Sequence, residues 1–247
     1  MLRKLSIIVP VFDEERTVEK LVFRLSAVPF PVEREIICVD DGSSDGSTPA
    51  LERLAADGVI RFVRHVENRG KGAAIRTALA HATGDVVVIQ DADLELCPED
   101  LPSLLGPILS GQTKVCFGTR FAKEARRRFL WRPSYWANRI LTAIHNVLNN
   151  TGLTDVATCY KMMTSEVISA LDVTERGFAV EVEIAAQVAA LGYGVTERPI
   201  SYRPRSRAQG KKIRALDFFR YVATMLRCRF LADPRRTVLK RPLVQAA

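Results

Sequence analysis

Two aspartates that directly follow a short apolar run are the residues of this chain best suited to chemistry. The run is Val86 to Ile89, the carboxylates are Asp91 and Asp93, and Glu95 lies just beyond them. A β-branched run preceded by Thr83-Gly84 is typical of a buried strand. Carboxylates at alternate positions can turn toward one point and hold a hard divalent cation such as Mg²⁺ or Mn²⁺. The alternative is a solvated loop, because a lone Asp-x-Asp pattern is short.

The elements that would position these carboxylates are strands that alternate with helices. Strands are predicted at Leu5 to Phe12, Glu35 to Val39, Val59 to His65 and Val86 to Ile89, and helical periodicity begins at about Glu14 after the first of them. This alternation predicts an α/β fold with a mostly parallel central sheet flanked by helices. Ligands of such sheets bind beyond the carboxyl ends of the strands.

Polar segments follow all four predicted strands. They are Pro10-Val11-Phe12-Asp13-Glu14, Asp40-Asp41-Gly42-Ser43, Asn68 to Gly72, and Asp91-Ala92-Asp93. Each segment alone has an alternative interpretation as a helix cap or a turn. Together they predict a carboxylate-rich rim, which Arg69 and Lys71 partly offset. Neither the dinucleotide fingerprint nor the P-loop pattern occurs in the sequence, which disfavours a dehydrogenase or a kinase.

As a set, these segments resemble glycosyltransferase family 2, whose catalytic domain has the GT-A nucleotide-sugar-binding fold. The resemblance rests on IVPVFDEE, VDDGSSDGS, NRGKGAAIRTAL, GDVVVIQDADLE and FGTRF. More narrowly, the chain resembles the polyprenyl-phosphate hexose synthases. We therefore expect an inverting, metal-dependent transfer of one hexose from a UDP- or GDP-sugar to a polyprenyl phosphate. A processive polysaccharide synthase would carry a QxxRW motif, which this sequence lacks.

The resemblance also implies roles for individual residues. Asp91 and Asp93 would ligate Mg²⁺ or Mn²⁺, and Glu95, which stands where the synthases often have Gln, is a third candidate ligand. The candidates that would border the nucleotide sugar are Pro10, Val11, Asp13, Glu14, Asp41, Lys71 and Ala92. A basic stretch near the end of the family domain binds phosphate groups, which makes Arg203, Arg205 and Lys211 candidates here.

Further candidates for the acceptor side follow the predicted strand Lys114 to Gly118. Arg120, at the end of that strand, could bind a phosphate in a bidentate fork, or it could be an ordinary surface arginine. The segment Lys123 to Arg132, KEARRRFLWR, mixes basic and aromatic residues. We interpret this segment as an acceptor loop in which cations such as Arg132 meet a lipid phosphate. A loop that binds single-stranded nucleic acid and a merely solvated loop are the alternatives.

Three acidic residues further along the chain are candidates with open alternatives. Asp155 belongs to an element, TDVATCYK, that is similar to a bacterial subgroup of these transferases. It is a candidate catalytic residue together with Asp93 and Arg120, and a turn residue is the alternative. Glu181 and Glu183 begin a predicted helix near the sugar pocket, and the spacing does not choose between them.

Composition and charge limit the class of protein and its partners. The chain has 247 residues, is 47% hydrophobic and carries a net charge of +8, which favours an anionic partner. We predict a catalytic domain over residues 1–210 and a basic amphipathic helix and tail over 211–247. This helix could pack on its own domain or lie in a membrane interface. Five cysteines without metal-ligand spacing, and no signal-peptide pattern, indicate a cytoplasmic protein. The resemblance to the polyprenyl-phosphate hexose synthases implies a peripheral position on the inner face of the membrane.

Two other functions stay open from the sequence. One is a glycosyltransferase with a soluble or glycan acceptor. The other is a non-catalytic module that binds anionic lipid or nucleic acid, although the carboxylates make a nucleic-acid partner unexpected. The sequence leaves open whether the protein forms a homodimer.

Overall fold

The structure is a computed structural model that describes residues 2–121, 133–205 and 217–231. The strands are β1 (Lys4–Val11), β2 (Glu33–Asp40), β3 (Arg61–Arg64), β4 (Val86–Ile89), β5 (Val115–Thr119), β6 (Lys161–Thr164) and β7 (Thr196–Pro199). The helices are α1 (Val18–Ala27), α2 (Ser47–Ala56), α3 (Lys71–Leu79), α4 (Leu101–Leu109), α5 (Pro133–Asn149), α6 (Ser165–Ala170), α7 (Val180–Ala190) and α8 (Asp217–Phe230).

All seven strands form one sheet in the order β3-β2-β1-β4-β6-β5-β7. The pairs β1–β2, β1–β4, β2–β3 and β5–β7 are parallel, whereas β6 runs antiparallel to both of its neighbours. The predicted α/β architecture with a mostly parallel sheet is therefore confirmed. The antiparallel strand β6 is a feature that the periodicity of the sequence did not reveal.

The centre of the sheet is buried, and this positions the polar segments. All four residues of β4 are buried, as expected for a strand of a parallel sheet covered on both faces. β1 lies between β2 and β4, with Leu5 in register with Val86 and Ile8 with Ile89. Because β1, β2, β3 and β4 are parallel, the segments that follow them emerge at the same edge of the sheet.

The first helix begins later than its periodicity indicates. The periodicity predicts a start at about Glu14, whereas α1 begins at Val18. Asp13 has a positive φ of 47°, and the backbone N–H groups of Thr17 and Val18 both donate to the Glu14 carbonyl. The segment from Asp13 to Thr17 is therefore a turn, which leaves the side chains of Asp13 and Glu14 at the sheet edge.

Helices α5, α7 and α8 pack against one another beside the sheet. The buried residues of α8 are Tyr221, Thr224 and Met225, which form its inner face. The predicted C-terminal amphipathic helix is thus present at Asp217–Phe230. Among the described residues, no helix combines the length and the apolar character that crossing a bilayer requires.

Close packing at the start of α3 yields a stability prediction. A Cβ added at Gly72 would lie 2.1 Å from the carbonyl oxygen of Glu175. The backbone N–H of Gly72 also donates a hydrogen bond to the Arg176 carbonyl at 2.6 Å. Gly72→Ala should therefore lower the free energy of unfolding by about 2 kcal/mol, because backbone has to move. The control is Gly106→Ala in α4, where a Cβ meets no atom within 4 Å. Gly106→Ala should instead raise the free energy of unfolding by up to about 1 kcal/mol, because alanine has a higher helix propensity than glycine.

Urea denaturation of the two glycine variants checks this prediction. Equal effects of the two substitutions would show that the contact between α3 and the segment before α7 is not tight.

Candidate active site

The predicted metal carboxylates lie at the end of β4, and each is engaged by a cation. Lys71 Nζ lies 2.6 Å from Asp91 Oδ1, and Arg205 Nη2 lies 3.1 Å from Asp93 Oδ2. Asp93 Oδ1 accepts a hydrogen bond from the backbone N–H of Glu95 at 2.9 Å. The edge therefore brings together acidic and basic groups that are distant in the sequence, such as Arg205 and Asp93, which are 112 residues apart.

Glu95 turns toward the segment after β7. Its Oε1 accepts a hydrogen bond from the Arg205 backbone N–H at 2.9 Å, and its carbonyl accepts one from the Arg203 N–H at 2.8 Å. Within the described residues, no three acidic, His or Cys side chains converge in a way that could hold a metal. The assignment of Glu95 as a third ligand thus stays a prediction.

The chemistry of Asp91 and Asp93 nevertheless fits a divalent cation. Burial and the negative charge of Asp91 raise the pKa of Asp93 to about 7, against the opposing effect of Arg205. This shift reports an excess of negative charge in a desolvated place, which a hard cation would offset. Carboxylate oxygens are also the ligands that Mg²⁺ and Mn²⁺ prefer.

Lys71 is held in place by a chain of buried charges. Glu181 Oε1 lies 2.7 Å from Lys71 Nζ, and Glu181 Oε2 lies 2.8 Å from Lys161 Nζ. Lys161 is fully buried, and its Nζ also contacts the Thr158 carbonyl. Burial opposes the charge of Lys71, yet Asp91 and Glu181 raise its pKa well above the usual value. Lys71 therefore carries a positive charge beside Asp91.

The structure distinguishes the two glutamates of α7. Glu183 accepts hydrogen bonds from the backbone N–H groups of Thr174 and Glu175 at 3.0 and 2.9 Å, and Arg227 Nη2 donates to it at 3.0 Å. Its carboxylate thus fixes the segment before α7 and ties α8 to it. Of the two residues, Glu181 is the one that contacts the candidate site, through Lys71.

Asp155 is engaged entirely by protein groups. Its Oδ2 accepts hydrogen bonds from Arg120 N and Nε at 3.1 and 2.7 Å, and its Oδ1 accepts from Arg120 Nη2 and Asn138 Nδ2 at 2.8 and 2.9 Å. A carboxylate has about four acceptor positions, and all are filled here. The side chain is also fully buried. Asp155 therefore positions Arg120, and a hydrogen bond to a sugar would displace one of these donors.

Arg120 is oriented from several sides. The Asp155 carboxylate accepts hydrogen bonds from Arg120 Nε and Nη2. The guanidinium carbon of Arg120 lies 5.3 Å from the ring centre of Phe121 and 5.1 Å from that of Tyr202. Cation–π contacts of this kind favour the charged group. The guanidinium is thus fixed at the end of β5, with Nη1 directed away from Asp155.

Asp41 also has mainly a positioning role in this structure. It is 2% exposed, and it accepts hydrogen bonds from the backbone N–H groups of Arg69 and Gly70 at 3.0 and 2.7 Å. His65 Nδ1 lies 2.7 Å from its Oδ1, and His65 Nε2 lies 2.8 Å from Thr77 Oγ1. These contacts fix the turn that presents Lys71.

The remaining predicted site residues lie at the sheet edge, in β1 or outside the described residues. Asp13 Oδ1 accepts a hydrogen bond from Ser44 N at 2.8 Å, and Glu14 accepts two from Arg205 at 2.9 Å. Arg203 is exposed at the rim. Pro10 and Val11 belong to β1, and Ala92 is buried between the two aspartates. Arg132 and Lys211 lie outside the described residues.

Sequence reasoning missed Lys161 and His65 as contributors to this site. Lys161 stands between Tyr160 and the apolar run Met162-Met163, and a lysine in such a position must be paired if it is buried. That pattern could have identified it as part of a buried ion pair. The partner Glu181 could not be chosen without the packing of α7.

Comparison with known proteins supports the same family. The model of the family described as glycosyl transferase family 2 matches residues 6–171. A dolichol-phosphate mannosyltransferase of Pyrococcus furiosus is 25% identical over 232 residues, which cover 91% of this chain and 63% of that protein. A dodecaprenyl-phosphate galacturonate synthase of Rhizobium johnstonii is 32% identical over 148 residues, which cover 58% of this chain and 44% of that protein. The chain spans less than two thirds of the length of these curated relatives.

Solved structures support the fold. Glucosyl-3-phosphoglycerate synthase of Mycobacterium tuberculosis, in complex with Mn²⁺, UDP and phosphoglyceric acid, has a TM-score of 0.69 and 23% identity. The alignment covers 94% of this chain and 80% of that one. The same synthase with Mg²⁺ and UDP gives a TM-score of 0.66, with 94% and 81% coverage. With the predicted GT-A fold confirmed and two thirds of its length matched by the family model, the chain belongs to glycosyl transferase family 2.

Proposed function

We propose that the protein transfers one hexose from a UDP- or GDP-sugar to a polyprenyl phosphate, with a divalent metal and inversion at the anomeric carbon. The observation that carries this proposal is the pair Asp91 and Asp93 at the end of β4, with Lys71 and Arg205 beside it. This arrangement supplies oxygen ligands for a cation and positive charge for phosphates at one edge of the sheet.

On the donor side, the chain's own residues bind and orient the diphosphate. Lys71, held by Glu181, would offer its charge to the diphosphate. A cation bound to Asp91 and Asp93 would supply Lewis-acid stabilisation of the departing nucleoside diphosphate. Asp41 keeps the Lys71 turn in position through the N–H groups of Arg69 and Gly70.

On the acceptor side, Arg120 is the residue best placed to hold a phosphate. Asp155 fixes its Nε and Nη2, so Nη1 is the nitrogen that would meet an acceptor oxygen. A polyprenyl phosphate is already an anion at neutral pH, so attack from the face opposite the leaving group needs no strong general base. Positioning of the two reactants supplies a large share of the rate.

Two exposed apolar stripes support a lipid acceptor and peripheral contact with a membrane. On α5 the stripe comprises Trp136, Ile140, Ala143 and Val147, and on α8 it comprises Phe219, Ala223, Leu226 and Phe230. Both follow helical spacing, both are exposed, and the two helices pack against each other. Exposed apolar faces with arginines nearby, such as Arg220 and Arg229, are typical of helices that lie in a membrane interface. The relatives named for polyprenyl-phosphate substrates point the same way.

The test is turnover of UDP- and GDP-sugars labelled in the sugar, with Mn²⁺ or Mg²⁺, using the purified chain and a short polyprenyl phosphate in detergent. The matched control acceptor is the corresponding polyprenol, which lacks the phosphate. We expect labelled sugar in the lipid fraction with the phosphate only, and an inverted anomeric configuration by NMR. Transfer to a soluble acceptor instead would overturn the lipid acceptor. Binding of nucleic acid without binding of any nucleotide sugar would overturn the transferase.

A further inference from the structure

The guanidinium of Arg205 lies among three carboxylates. Its Nη1 and Nη2 donate to the two oxygens of Glu14, each at 2.9 Å, and Nη2 also donates to Asp93 Oδ2 at 3.1 Å. Nε lies 3.9 Å from Glu95 Oε1. Glu14 is 7% exposed, so this bidentate pair is mostly shielded from water.

Two of these three carboxylates are predicted to meet the metal. Resting on the proposed function, we infer that Arg205 and the divalent cation compete for Asp93 Oδ2, and that the guanidinium must leave this oxygen for the cation to bind it. A guanidinium and a divalent cation on the same carboxylate repel each other strongly in a desolvated place. Arg205 is therefore a latch that competes with the metal.

The latch is connected to a basic segment. The N–H groups of Arg203 and Arg205 donate to Glu95, and Tyr202 forms an isolated antiparallel bridge with Leu96. These contacts tie the segment after β7 to the loop that carries Asp93. Departure of Arg205 would loosen this connection, and it would free a charged side chain to meet a phosphate at the moment when the cation is in place. Metal loading and phosphate binding are thereby coupled.

Binding of Mn²⁺, followed by the EPR signal of the free ion, tests the latch without any turnover. In Arg205→Met the apparent affinity for Mn²⁺ should increase about tenfold, a typical coupling between linked sites. Removal of charge alone would also strengthen binding, so Arg203→Met serves as the control with the same charge change. Arg203 is exposed, and its replacement should change the affinity less than about twofold because solvent screens its charge.

Glu14→Gln, made alone and in the Arg205→Met background, separates the latch from simple removal of charge. With Arg205 present, loss of Glu14 leaves the guanidinium without its bidentate partner, so it pairs more strongly with Asp93 and Mn²⁺ binding should weaken about fivefold, at the low end of such couplings. In the Arg205→Met background the same change should weaken binding less, because no guanidinium remains to pair with Asp93. Glu15→Gln is the matched control, because Glu15 is an exposed neighbour with the same charge. An equal effect of Glu14→Gln in both backgrounds, or unchanged binding by Arg205→Met, overturns the latch.

Hydrogen exchange supplies an independent measurement. On addition of Mn²⁺, the amides of Arg203 and Arg205 should exchange faster, because their contacts with Glu95 loosen. Unchanged protection at saturating Mn²⁺ would overturn the latch while leaving the proposed metal site intact. A wild-type chain and variants that all fail to bind Mn²⁺, with or without UDP or GDP, would instead overturn the metal dependence of the proposed function.

Discussion

Replacing Asp91 or Asp93 by Asn is expected to reduce turnover about 10³-fold, which corresponds to about 4 kcal/mol of lost transition-state stabilisation. An amide is a poor substitute for a carboxylate on a hard cation, and it supplies no negative charge to hold the metal. The fold should persist because the neighbouring cations keep other partners. Lys71 remains paired with Glu181, and Arg205 remains bound to Glu14.

The measurement is the initial rate with a labelled nucleotide sugar at saturating Mn²⁺, together with thermal unfolding. Asp57→Asn is the matched control, since Asp57 is an exposed residue at the end of α2 and should keep full activity. Full activity in both the Asp91 and the Asp93 variants would contradict the metal site. A collapse of thermal stability would show that the two aspartates act in folding instead.

The second large effect is expected at Lys161. Lys161→Met should lower the free energy of unfolding by about 3–5 kcal/mol, because it breaks a buried ion pair. The Glu181 carboxylate would lose Lys161 and keep Lys71 as a cationic partner. Lys161 is fully buried, and its Nζ lies 2.8 Å from Glu181 Oε2. Lys161 also contributes to the field that keeps Glu181 ionised, because it and Lys71 lower the Glu181 pKa against the effect of burial.

Urea denaturation of Lys161→Met, alone and combined with Glu181→Gln, shows whether the loss of stability comes from the broken ion pair or from packing. The double variant Lys161→Met with Glu181→Gln should recover part of the loss, because it no longer buries a charge without its partner. Lys114→Met is the control: Lys114 pairs with Glu166 at 2.8 Å on the surface, and its loss should leave the denaturation midpoint unchanged. Failure of the double variant to recover would assign the effect of Lys161 to packing.

Much of the fold could be predicted from local patterns. The apolar run of β4 and the alternation of strands with helices were sufficient for a mostly parallel α/β sheet, and the shared edge of the polar segments followed from it. The antiparallel β6 and the late start of α1 were not predictable in this way. A run such as Lys161–Thr164 has no periodicity that encodes strand direction, and the turn after β1 depends on contacts with the loop after β2.

The residue types of the candidate site were determined by the sequence itself. Asp91, Asp93 and Lys71 could be selected because each follows a predicted strand. Which charged residues pair with one another was decided by the tertiary structure alone. Arg205 and Glu14 are 191 residues apart, and Arg120 and Asp155 are 35 apart. Local sequence encodes the period of a strand or helix, whereas the choice of partner for a buried charge depends on how distant segments pack.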